Sequence, residues 1–215
     1  MPRPFFRGLS VMGTGPALTN ATMRLAEAVL LLERAPSTAE LSIHFVPLWE
    51  MHKLNFESRG VDKPTDVLTV PGCGSGGFSD TYVSSILFSP DVSEEQKVGT
   101  PTRPGAIAQR RLAMQDLGEI YCSVEYIWHR CNSYPSKCLP FHDYMQAALV
   151  HAMLHALGYD HDTPERWRMM VRRERLIRER LRVWRRRWPE CSWELDGIEF
   201  LVMSTEDRKM NVRSV

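Results

Sequence analysis

The stretch HAMLHALGYDH, His151 to His161, decides how the rest of the chain is read. His151 and His155 stand four residues apart, so on a helix both imidazoles leave the same face about one turn apart. Gly158 follows where that helix would end, because glycine adopts the left-handed backbone that turns a chain back on itself. His161 can then return to the same point. Three neutral imidazoles around a divalent ion describe a zinc centre whose fourth position is left to water or substrate, the arrangement of catalytic rather than structural zinc. The bland alternative is a set of packed core histidines. Two at this spacing arise readily by chance; three with an intervening glycine do so much less often.

The spacing also matches the zinc-protease signature of two helical histidines, a glycine and a third histidine. Those enzymes carry a glutamate directly after the first histidine as general base, and here that position is Ala152. A methyl group accepts no proton. The motif therefore suits a metal while lacking the local base of a peptidase, and inertness towards peptides would dispose of that rival.

Composition sets the bounds. A 215-residue chain with 43% hydrophobic content can bury about 70% of its unfolded surface in one domain with appendages, which excludes a disordered polymer. The formal charge of +1 hides an asymmetry: between Glu165 and Trp188 stand eleven arginines and three glutamates, a net of +8, leaving −7 elsewhere. Five cysteines, at 73, 122, 131, 138 and 191, are odd in number and form no CxxC pair, which fits a reducing compartment better than a disulfide scaffold. No run of eighteen apolar residues marks a membrane span. Arg3, Arg7 and Arg24 precede the first acid, Glu27, so residues 1–18 read either as an organellar transit sequence or as a ragged terminus.

Along the chain, Thr19 or Asn20 is expected to cap a helix running to about Arg34, closed by Pro36. Leu41, Ile43 and Phe45 alternate with Ser42 and His44 as in a strand with one buried face. Pro47 starts a short helix through Trp49, His52 and Leu54, with a turn from Asn55 to Gly60. Val67, Leu68 and Val70 suit a buried strand, with Arg59, Lys63, Thr65 and Asp66 placed ahead of it to reach a ligand. Residues 72–116 read as a surface insertion containing a glycine-rich stretch and a short TYVSSILF strand. LGEIYCSVEYI, Leu117 to Ile127, reads as a strand, and the metal helix begins near His142 after an irregular stretch. His52, His129 and His142 are expected at the surface. Asp162 or Thr163, with Pro164, opens a long helix, residues 164–188, with Trp167, Met170, Leu176, Ile177 and Leu181 on its apolar face, and a tail follows at 189–215. One domain, residues 19–188, is expected.

The arginines of that last helix, Arg172, Arg173, Arg175, Arg178, Arg182, Arg185 and Arg186 among them, are candidates for binding a polyanion, because guanidinium forks match phosphate oxygens. A solvated face or a calmodulin-like target segment remains the alternative.

PTDVLTVP, LGEIYCS and HAMLHALGYDH, in that order, resemble the YbeY family of metal-dependent endoribonucleases acting in ribosomal RNA maturation. The resemblance covers roughly residues 20 to 180, interrupted by the insertion. It implies an α/β (α+β) fold, a small mixed sheet flanked by helices with the metal helix at its centre. It also implies one Zn2+ on His151, His155 and His161, a functional role for Arg59, and a place near the ligands for Asp160. Ribosomal RNA and small-subunit or assembly-intermediate proteins are the implied partners, and a single-strand-type cleavage the implied reaction. Ala152 stands where the family usually has glycine and Ala156 where leucine is usual. The basic helix departs further, since bacterial members are acidic there. Eukaryotic members tend to be organellar, so the expected location is mitochondrial, with the cytoplasm as alternative. A catalytically inactive assembly factor that keeps the zinc and docks through its arginine helix is the rival from another class.

Overall fold

In a computed structural model, which describes residues 6–72, 116–133 and 139–187, the elements follow one another as β1 (Gly8–Met12), α1 (Pro16–Leu32), β2 (Glu40–Phe45), α2 (Leu48–Arg59), β3 (Val67–Val70), β4 (Asp116–Cys122), α3 (Val124–Ser133), α4 (Phe141–Ala156) and α5 (Pro164–Arg187). The strands form one sheet in the order β1-β2-β4-β3. β1, β2 and β4 are parallel, and β3 runs antiparallel to β4 at the far edge. This is the mixed α/β architecture expected from the sequence.

The alternation in ELSIHF works as read. Leu41, Ile43 and Phe45 are buried while Ser42 and His44 face the other side of the sheet, where His44 stacks on Tyr121. The pairing of β2 with β4 slips between Glu40 and Ser42. Gly118 sits at that irregularity with φ of 83°, its amide bonded to the Asp116 carboxylate at 3.0 Å. A Cβ there would strike the Val70 carbonyl oxygen, so only glycine fits.

α4 lies at the centre of the helical layer, touching β3, β4, α1, α3 and α5. Leu149, Val150, Met153 and Leu154 are essentially inaccessible, each contributing about 1.5–3 kcal/mol by burial. Thr69 Oγ1 donates to the Ala152 carbonyl at 3.1 Å, pinning the helix to β3.

Several expectations are corrected. β1 lies within the stretch read as a terminal segment, with Phe6 fully buried beside it; five alternating residues beside Gly and Pro gave too short a pattern to register. α1 begins at Pro16 on Gly15, without a side-chain cap, because proline presets the first helical turn and leaves Thr19 and Asn20 inside it. α2 continues to Arg59 and stops at Gly60, whose φ is 68°. Asn55, read as a turn former, is buried in the helix and donates to the Lys63 carbonyl at 2.7 Å. β4 ends at Cys122, where Ser123 Oγ accepts the Tyr126 amide at 3.4 Å and α3 begins. On α5, Met170, Ile177 and Leu181 are buried but Trp167 and Leu176 are exposed. TYVSSILF and residues 189–215 lie outside the described residues.

The strip of α5 facing the domain instead includes two polar residues, Arg173 and Glu174. Glu33, the C-cap of α1, is buried with its carboxylate shared between Arg173 Nε at 2.6 Å and Tyr159 Oη at 2.8 Å. Burial opposes charge on Arg173, yet the hydrogen bond and charge of Glu33 outweigh it and the net pKa shift is upward. Removing one partner strands a buried charge. Arg173→Ala should therefore destabilise the fold by about 3 kcal/mol, the low end for breaking a buried pair because this arginine is partly solvated. Urea unfolding should show a lower midpoint at unchanged slope.

Candidate metal centre

The end of α4 brings the histidines together. Gly158, at φ of 88°, donates to the His155 carbonyl, and Tyr159 donates to that of Leu154, both at 2.9 Å. This pair of bonds is the Schellman closure that a left-handed glycine permits. The chain folds back across the helix end, and Asp160 holds the returning strand by accepting the His161 amide at 2.7 Å.

His151 Nε2 and His155 Nε2 lie 3.2 Å apart. Zinc bound tetrahedrally at 2.0–2.1 Å sets two nitrogens about 3.3 Å apart, so this pair is spaced for one ion. His161 stacks on His151 with centroids 5.5 Å apart and meets His155 edge-on at 4.9 Å. One donor atom from each ring lies within 4.8 Å of the others, and among the described residues this is the one grouping of three such side chains. The three candidate ligands are therefore brought together by the fold.

Electrostatics suit a metal. Burial first, then the charges of His151 and His161, push His155 down to about 4, against the opposing pull of Asp160 and a backbone hydrogen bond at Tyr159. A neutral ring keeps the lone pair that a metal needs. His151 and His155 are half-buried while His161 is exposed, which leaves one side of the centre open to a substrate. His151 Nδ1 meets Glu174 Oε1 of α5 at 2.7 Å. Sequence reasoning missed Glu174, one of three acids in a helix read for its arginines.

Ala152 is fully buried. The position after the first histidine packs into the domain, and a glutamate there would be a buried charge rather than a general base facing the rings. Ala156 is buried likewise, so small residues serve packing at both places.

The remaining candidates divide. Arg59 is exposed on the last turn of α2, with no hydrogen-bond or ion-pair partner among the described residues. Asp66, expected to face a ligand, is instead tied into the fold: Tyr144 Oη donates to it at 2.7 Å and the Val67 amide at 2.9 Å. His52 pairs with Asp62 at 2.7 Å, and His129 lies 3.7 Å from Glu125. Of the α5 arginines, Arg172, Arg175, Arg182, Arg185 and Arg186 are exposed and Arg178 is half-buried. Arg173 leaves that group, because it is engaged with Glu33 on the inner face.

Zinc at about 100 times its Kd should raise the stability of metal-free protein by about 2.7 kcal/mol. In His155→Ala the rise should disappear, as read by thermal melts with and without the ion.

A family model described as endoribonuclease YbeY matches residues 14–182. A protein named endoribonuclease YbeY from Thermoanaerobacter sp. (strain X514) is 32% identical over 162 residues, 75% of this chain and 86% of its own length. Another of that name, from Chloroflexus aggregans (strain MD-66 / DSM 9485), is 32% identical over 142 residues, 65% of this chain and 71% of its own. The solution structure of TM1509 from Thermotoga maritima aligns with 81% of this chain and 92% of its own, at 20% identity and a TM-score of 0.42.

Proposed function

The chain belongs to the endoribonuclease YbeY family, and on that premise we propose that it is a zinc-dependent endoribonuclease acting on single-stranded segments of ribosomal RNA during ribosome maturation. The observation that carries the reading is the meeting of His151, His155 and His161 around one point, open on the His161 side. Zinc held there would polarise a phosphoryl oxygen and lower the pKa of bound water to about 7.

The other proposed roles belong to the chain's own groups. Arg59, exposed and unpaired among the described residues, would grip the scissile phosphate with its guanidinium fork and offset the charge that develops as the bond breaks. His155, held neutral, offers a donor nitrogen without first shedding a proton. Small-subunit proteins or assembly intermediates are the proposed neighbours of the bound RNA. The proposed location is the mitochondrion, supported by the basic residues that precede Glu27. Because β1 and Phe6 belong to the fold, targeting would have to leave them in place. A fluorescent fusion should follow a mitochondrial matrix marker, and a cytosolic distribution would contradict the placement.

Cleavage of structured ribosomal RNA by the zinc-loaded full chain tests the central reading. The wild type should cut, and folded His151→Ala and Arg59→Ala should lose at least about a hundredfold in rate, the scale for removing one charge-stabilising donor. Ends bearing 2′,3′-cyclic phosphate would assign the attack to the substrate's own 2′-hydroxyl and exclude direct attack by hydroxide. Zinc uptake and RNA binding without cleavage would sink the enzyme reading.

That last result would favour the second reading, an assembly factor without turnover, for which the exposed arginines of α5 are the supporting observation. Replacing Arg172, Arg182 and Arg186 with glutamine should weaken RNA binding across sequences. It should also reduce the slope of log K against log salt by about 2, since each phosphate contact contributes about 0.7 on a single strand. Binding with an unchanged slope would remove the helix from the RNA interface.

A further inference from the structure

We propose that Glu174 is a positioning residue for the metal centre, fixing the tautomer and orientation of His151 so that Nε2 faces the ion. The inference rests on the zinc reading and adds to it a residue from a different helix.

An ionised carboxylate can only accept hydrogen bonds. With Glu174 Oε1 at 2.7 Å from His151 Nδ1, the proton of the neutral ring belongs on Nδ1 and the lone pair on Nε2. That nitrogen is the one that lies 3.2 Å from His155 Nε2. A carboxylate behind a ligating imidazole also raises the basicity of the nitrogen facing the metal. The contact is partly shielded, with 21% of the Glu174 side chain and 35% of the His151 side chain exposed, so water competes less than at an open surface.

The rotation of α5 that delivers Glu174 is fixed by its neighbours. Arg173 is clamped to buried Glu33, while Met170, Ile177 and Leu181 enter the core on the same strip. A rotation that freed Glu174 would have to break the Arg173 clamp and expose those three side chains. The same Glu33 carboxylate accepts the hydroxyl of Tyr159 in the turn before His161. α1, the turn and α5 thus converge on one acid, and α5 presents its other inward polar residue to His151.

A surface ion pair of no consequence is the competing account, and it predicts different results. Two measurements on the full chain separate them, using Glu174→Gln and Glu174→Ala. First, the imidazole nitrogens of metal-free protein are read by 1H–15N correlation near neutral pH. The wild-type His151 should be the Nδ1–H tautomer, Glu174→Gln should retain it because the amide oxygen still accepts, and Glu174→Ala should shift to a mixture. Second, zinc affinity is read by competition with a chelator of known strength. Glu174→Ala should weaken it 10- to 100-fold, with Glu174→Gln in between.

A residue that merely supported the fold would lower the melting temperature of the metal-free protein and leave the tautomer alone. An Nε2–H wild-type ring, or zinc binding by natively folded Glu174→Ala within twofold of wild type, would overturn the proposal. If wild-type protein took up no zinc, the zinc reading would fall, and the proposed role towards the ion with it. The tautomer spectrum would still tell whether Glu174 orients the ring.

Discussion

The three imidazoles of this chain converge because it reverses direction within a few residues of the second, and that reversal depends on Gly158. At φ of 88° the position admits glycine with little strain, whereas a residue with a Cβ would be held in a conformation disfavoured by roughly 1–2 kcal/mol. The reversal also requires a fixed helix end to turn against. α4 provides it by packing on two strands and three helices, with its buried alanines allowing close approach. The candidate centre therefore sits where a helix packed on two strands and three helices meets a turn that depends on a left-handed glycine.

α5 has two characters that composition merges. Its outward side carries exposed arginines, suited to a phosphate backbone. Its inward side carries Arg173 and Glu174, which reach Glu33 and His151. The residues differ by about 100° of rotation per position, and that angle separates a charge available to a partner from one committed to the fold. Glu33 joins the two ends of the arrangement, because one buried carboxylate receives both the turn and the helix. The basic helix is thus part of the architecture of the centre as well as a surface beside it.

What was legible in the sequence was local. The i, i+4 histidines and the glycine after them announced the centre, and Leu41, Ile43 and Phe45 announced β2, because each signal fits within one turn or one strand. β1 was hidden by its brevity and by its place among residues read as a terminal segment. Asn55 was misread because small polar residues serve turns and helix interiors alike, and only its partner distinguishes these uses. Glu174 and Arg173 were illegible for a different reason. Their partners lie 23 and 140 residues away; the spacing of Met170, Ile177 and Leu181 puts positions 173 and 174 on the inner face, but nothing local names Glu33 or His151 as what they meet there.

The central claim is that one zinc ion is held by three imidazoles from α4 and the turn that follows it. X-ray absorption at the zinc edge, on the full chain loaded with one equivalent, tests it most directly. The account predicts three imidazole nitrogens at about 2.0–2.1 Å and one further light atom, from water. A sulfur neighbour at about 2.3 Å, or a signal with fewer than three imidazoles, would contradict it.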